Sequence, residues 1–146
     1  MRITSFTDYG LRTLIYLACL PKDELSSVPK VSQVYKVSQN HMVKVIGQLK
    51  KLGYIEALRG KGGGIRLAVS PEQVRIGRVM RELEPHTDGV DCLSSPCVLL
   101  PKCKLKAALA EAMESFFSTM DQYTLADLVE NKEVASQILI QMSGDE

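Results

Sequence analysis

Three of the chain's four cysteines fall in one short stretch, "DCLSSPCVLLPKC", residues 91–103. Cys92, Cys97 and Cys103 are spaced C-x4-C-x5-C. Thiolates are soft donors suited to zinc or to iron–sulfur clusters. These gaps differ from the C-x2-C of zinc knuckles and ribbons. A zinc site, a metal-free thiol sensor and an inert loop stay open beside the cluster. Pro96 and Pro101 stiffen the loop and lower its entropy before a metal binds. Lys102, Lys104 and Lys106 crowd the last cysteine. Positive charge there favours thiolates and offsets a cluster's negative charge. A fourth donor is not evident. His86, Asp88 and Asp91 are local candidates, and each reads equally well as a polar loop residue. Cys19 sits among Tyr16, Leu17 and Leu20 and reads as a small buried apolar residue. His41 and His86 have no nucleophile partner, so no catalytic constellation is expected and the chain reads as a non-enzyme.

The elements around this loop follow from periodicity. A first helix is expected over 6–20, with Ser5 as N-cap, Asp8 as its capping-box partner and Leu11, Leu14, Ile15 and Ala18 on one face. Pro21 ends it. "KVSQVYKV" reads as a short second helix. Ser38 caps a third, in which Met42, Val45, Ile46, Leu49 and Leu52 recur at helical spacing and Gly53 marks the stop. "YIEAL" and "IRLAV" flank the glycine-rich "RGKGGG" as a β-hairpin. "SPEQVRIGRVMRELEP" reads as a fourth helix, capped by Ser70, with Pro71 at its first position and Val74, Ile76, Val79, Met80 and Leu83 inward. After the cysteines, Leu105, Ala108, Leu109, Ala112, Met113, Phe116, Phe117 and Met120 keep a helical rhythm over several turns. "TLADLVENK" is a last short helix and "QMSGDE" a frayed tail. The expected architecture is mainly α with one hairpin: a winged helix-turn-helix region over 1–84, a cysteine loop over 85–103, and a long dimerisation helix with its tail over 104–146.

A chain of 146 residues holds about one domain. Its net charge of +1 hides an asymmetry. Residues 1–69 hold 11 Lys and Arg against 4 Asp and Glu, and residues 70–146 hold 7 against 13. A basic first half suits a polyanion partner. The third helix leaves Ser38, Gln39, Asn40, His41, Lys44, Gln48 and Lys51 on its outer face, with no acid among them. Carboxylates there would repel phosphates. Asn and Gln can pair bidentately with adenine, Ser reads several bases, and lysines hold phosphates. Arg59 and Lys61 sit on the hairpin tip, thin enough to enter a minor groove. A nucleotide-binding loop is excluded by the absence of G-x-x-x-x-G-K-[ST]. Double-stranded DNA is therefore the expected partner. The long apolar stripe and the two-fold symmetry of DNA half-sites point to a homodimer on a palindromic operator. No apolar run reaches membrane-spanning length and no signal peptide is seen, so a cytoplasmic location is expected.

"SFTDYGLRTLIYLA", "VSQNHMVKVIGQL", "RGKGGGIRL" and the C-x4-C-x5-C loop before a long helix resemble the small iron–sulfur winged-helix repressors that include IscR and NsrR. "TDYGLR", "NHMVK" and "RELEP" resemble the NsrR type, the nitric-oxide-sensitive branch, more than IscR. The resemblance covers nearly the whole chain. It implies a homodimer, an iron–sulfur cluster (4Fe-4S or 2Fe-2S) on Cys92, Cys97 and Cys103, and repression relieved by nitric oxide. IscR-like members use a histidine shortly after the third cysteine, and "CKLKAALAE" has none. The NsrR-type resemblance implies Asp8 as fourth ligand, from the opposite subunit. An acid in the first turn also complements the helix dipole without any metal. Cluster supply, iron or thiol redox state are rival signals on the same scaffold. An iron–sulfur or redox carrier without specific DNA binding is the rival from another class.

Overall fold

Thr4, rather than Ser5, begins the first helix. Its extended backbone (ψ 155°) lets its hydroxyl accept the Thr7 N–H at 3.3 Å, capping α1 (Ser5–Cys19). Asp8 is thereby one position beyond the capping-box site, and its carboxylate pairs instead with Arg12, one turn on, at 2.8 Å. The computed structural model describes residues 1–94, 97–100 and 102–143. Pro96 and Pro101, expected to stiffen the loop, and the last three residues of "QMSGDE" lie outside the described residues.

Leu20, the residue before Pro21, turns extended (ψ 146°) and closes α1. The second helix, α2 (Val28–Tyr35), starts earlier than its apolar pattern suggested. Ser27 caps it by accepting the Lys30 N–H, and Pro29 fits the first turn, where no N–H partner is needed. Lys36 takes a left-handed conformation (φ 56°) and ends it. Two residues later Ser38 caps α3 (Gln39–Lys51) by accepting the His41 N–H at 3.2 Å. Met42, Val45, Ile46 and Leu49 are buried beneath α3, as its spacing requires.

β1 (Ile55–Leu58) and β2 (Gly64–Leu67) pair antiparallel, from Ile55 opposite Leu67 to Leu58 opposite Gly64. Arg66 donates to Glu56 across the strands at 2.6 Å. The fourth helix is shorter than expected. Residues 71–73 form a single 3-10 turn, Ser70 makes no side-chain cap, and α4 (Ile76–Leu83) begins after a break. A tertiary contact causes the break. The Ile76 N–H donates to the Tyr123 carbonyl and the Leu125 N–H to the Val74 carbonyl, so residues 74–76 pair with 123–125 instead of continuing a helix. The expected inward residues Val74, Ile76, Val79, Met80 and Leu83 are all buried.

α5 (Lys104–Met120) spans the expected apolar rhythm, yet only Phe117 is buried there. Phe116, one residue earlier, is 40% exposed, because adjacent helical residues face different directions. α6 (Leu125–Val129) opens with a full capping box between Thr124 and Asp127. It is not the last helix: α7 (Lys132–Ser143) follows, so part of the expected tail is helical. α1 lies at the centre, packed against α3, α4, α6, α7 and β2. The order of helix, helix, helix and hairpin is a winged helix. Among the described residues no helix is long and apolar enough to cross a membrane.

Candidate nucleic-acid interface and cysteine loop

α3 presents its N-terminal turn outward. Ser38, Gln39, Asn40 and Lys44 are exposed, as is Lys51, while Gln48 is half-buried. Ser38 already accepts a backbone hydrogen bond as the cap, so its hydroxyl is shared between helix and any partner. His41 is only half-exposed. Its ring meets that of Tyr9 on α1 edge-on, with centroids 5.2 Å apart and planes at 88°. The same Tyr9 ring lies 5.9 Å from the Arg12 guanidinium carbon. His41 thus belongs to the α1–α3 junction as much as to the outer face.

Val43 is missing from the outer face read in the sequence, which takes in only polar and basic residues. It is 55% exposed, one turn beyond Gln39 and Asn40. An apolar side chain there suits the methyl group of thymine.

The hairpin tip carries Arg59 and Lys61, both exposed. Gly60 and Gly62 flank Lys61 with φ of 91° and 81°, a path closed to most side chains. The Gly63 N–H donates to the Gly60 carbonyl at 3.0 Å and closes the turn. Both basic side chains therefore project from a narrow backbone.

In the cysteine loop, Cys92, Cys97 and Cys103 are free thiols of intermediate exposure. Cys103 occupies the N-cap position of α5 and makes no side-chain capping bond. Asp91 accepts the N–H groups of Leu93 and Ser94, each at 3.0 Å, and so wraps a turn around Cys92. Hydrogen bonds from Ser94, then Leu93, draw its carboxyl down to about 2. His86 and Asp88 are exposed. Leu93, Val98 and Leu99 are exposed apolar residues of the same loop. Gly89 rests close to Leu109 and Met113, so the loop's first part lies along α5. Among the described residues no three His, Cys, Asp or Glu side chains are gathered in a metal-holding group. Neither Asp8 nor the local acids join the thiols in one. The donor set still fits a thiolate-bound centre: three soft sulfurs within one short segment, none in a disulfide. Cys19, on α1, is half-buried, and burial pushes its thiol up, in line with a packing role.

A family model described as "Rrf2: Iron-dependent Transcriptional regulator" matches residues 3–131. The chain belongs to the Rrf2 family of transcriptional regulators. Solved structures agree in fold. CymR, the global cysteine regulator of B. subtilis, superposes with a TM-score of 0.69 at 22% identity, over 89% of this chain and 97% of its own. IscR of T. potens gives 0.70 at 22% identity, over 89% and 87%. The oxidized form of CymR from Staphylococcus aureus gives 0.70 at 24% identity, over 90% and 98%. This Rrf2 chain is thus a DNA-binding transcriptional regulator with a winged-helix fold.

Proposed function

We propose that this Rrf2 regulator is a dimeric, cytoplasmic repressor of the NsrR type, whose signal is nitric oxide. The observation that carries the DNA half of this reading is the acid-free, exposed N-terminal turn of α3, with Arg59 and Lys61 exposed on the hairpin tip. Gln39, Asn40 and Val43 read base edges in the major groove, with Ser38 and His41 at its margin. Lys44 holds a phosphate, and Arg59 and Lys61 reach the flanking minor groove. Two copies, joined along the exposed stripe of α5, set their α3 helices about 34 Å apart on a palindromic operator.

Cys92, Cys97 and Cys103 are the proposed ligands of an iron–sulfur cluster, with Asp8 of the opposite subunit as fourth donor. When bound, the cluster supplies a redox-active, nitric-oxide-reactive centre. This chain's residues set how easily such a centre opens. A carboxylate oxygen is a hard donor, poorly matched beside soft thiolates. Asp8, whose Oδ1 pairs with Arg12, would have to share or give up that ion pair to hold the cluster, on the helix whose Tyr9 touches His41. The sensor loop and the reading helix thus share α1.

The test is anaerobic reconstitution followed by nitric oxide titration, with absorbance and operator binding read together. The reading expects a coloured protein whose operator affinity falls as absorbance changes. Colourless, iron-free protein removes the cluster, and a reacting cluster with unchanged affinity removes the sensing. Asp8→Ala should alter the spectrum or lability; an unchanged centre points to another donor.

A thiol-redox sensor is the second reading, favoured by three free, part-exposed cysteines that are not gathered. It expects operator affinity to change with oxidant in iron-free protein. A carrier without specific DNA binding would bind no operator in any state.

A further inference from the structure

The wing is held from below by a contact outside its own hairpin. Ser26, in the link between α1 and α2, pairs with Ile65 of β2 as an antiparallel bridge. Each residue's N–H donates to the other's carbonyl at 2.9 Å. Ser26 is 4% exposed, and its Oγ lies 2.7 Å from the hydroxyl of Tyr16, which is fully buried in α1. The approach is tight: a Cβ on Gly64 would stand 2.5 Å from the Ser26 carbonyl oxygen. Ile65 directly follows Gly64, which with Leu58 forms the last pair before the tip. The clamp therefore grips β2 at the root of the segment carrying Arg59 and Lys61. A two-stranded ribbon has little stability of its own, so its direction depends on what it is docked to.

We propose that Tyr16 is a positioning residue for DNA recognition: through Ser26 and Ile65 it sets where Arg59 and Lys61 meet the duplex. This rests on the DNA-reading role assigned above to the wing. The recognition helix depends on other contacts, since α3 is seated by Met42, Val45, Ile46 and Leu49. Removing the phenol oxygen should thus loosen the wing while leaving α3 in place.

The experiment uses the full chain and a 40-base-pair duplex enriched by the wild-type protein from a random pool, about four helical turns long. Affinity is measured by fluorescence anisotropy over a salt series for wild type, Tyr16→Phe, the double variant Arg59→Ala/Lys61→Ala, and the triple variant. Tyr16→Phe is expected to bind about tenfold more weakly, the effect of one displaced hydrogen-bonded unit. The salt dependence should also become shallower, because fewer phosphates are neutralised. In the Arg59→Ala/Lys61→Ala background the same change should cost no further affinity. A tyrosine that only stabilises the core would lower the active fraction equally in both backgrounds and leave the salt slope unchanged. That result, or no effect at all, overturns the proposal. If Arg59→Ala/Lys61→Ala itself leaves affinity and slope untouched, the wing's DNA role fails, and the positioning role falls with it. Ser26→Ala removes the same bond from the loop side and decides the question in the same way should Tyr16→Phe not fold.

Discussion

Ser32 on α2 carries a hydroxyl that is buried and has no hydrogen-bond partner among the described residues. An orphaned buried polar group costs roughly 1–3 kcal/mol, and alanine is the better helix former. Ser32→Ala is expected to raise stability by about 1 kcal/mol in chemical denaturation; a lowered midpoint would show that the hydroxyl has a partner after all. On the DNA face, Asn40→Ala should cost about 1–3 kcal/mol on the preferred site and relax the preference at one base position. Lys44→Ala should instead weaken binding to every sequence and flatten the salt slope by about one. Parallel titrations on selected and random duplexes separate the two. At this scale the sequence was legible where a side chain acts on its own helix. Ser38 as cap and the exposure of Lys44 follow from local spacing. The Tyr9 partner of His41 comes from another helix, and Val43 escapes a reading that takes only polar and basic residues for the outer face. Asp8 looked like a capping partner until Thr4 moved the helix start by one residue.

The element that ties wing to body at its other end is the entry to β1. The hydroxyl of Tyr54 donates to Glu82 on α4 at 3.2 Å, and Glu82 also accepts from Arg78 at 2.7 Å. Burial, and then the Glu82 charge, push the Tyr54 phenol from its ordinary value near 10 up to about 12. The folded state thus prefers the protonated phenol. Its stabilising contribution is complete below pH 10 and is lost as pH rises through about 12. Tyrosinate absorbance should show Tyr54 ionising late, and Tyr54→Phe should flatten the pH dependence of stability in that window. The hairpin was readable from its glycines, because backbone conformations open to few residues leave a strong mark in sequence. The short α4 was not. Its 74–76 segment pairs with 123–125, and no local pattern reports a contact with a segment nearly fifty residues away. α7 had a weak signal, Val134 and Ile138 one turn apart behind Asn131, which accepts the Glu133 N–H. It was hidden by the polar residues between them.

For the molecule as a whole, the proposed dimer rests on α5. Leu105 is 63% and Phe116 40% exposed, with Ala108 and Ala112 open between them on the same face. A helix stripe of this length left to water is unusual unless a partner covers it. Leu105→Lys/Phe116→Lys is expected to shift sedimentation from dimer to monomer and to reduce operator affinity. The monomer's own melting should fall only modestly, since Phe116 meets the core through its edge-on contact with Phe117 and Leu105 lies open; a dimer that survives the change would place the interface elsewhere. Fold class was legible because helix periodicity and hairpin glycines are strong local signals. The distribution of α5 between core and partner was not. Periodicity tells which residues share a face, but not whether that face meets its own chain or another.

The central place of α1 bears on how the chain is made. α1 packs against α4, α6 and α7, which follow it by about sixty residues or more. Synthesis runs from the N-terminus, so α1 leaves the ribosome long before those partners exist. A helix of 15 residues is marginal alone in water. Tyr16 meets Ser26 and Tyr35 early, but the side of α1 that packs on α6 and α7 must wait uncovered until they emerge. A nascent chain paused before residue 120 should be a chaperone client, and the winged helix should acquire its final packing only near the end of translation.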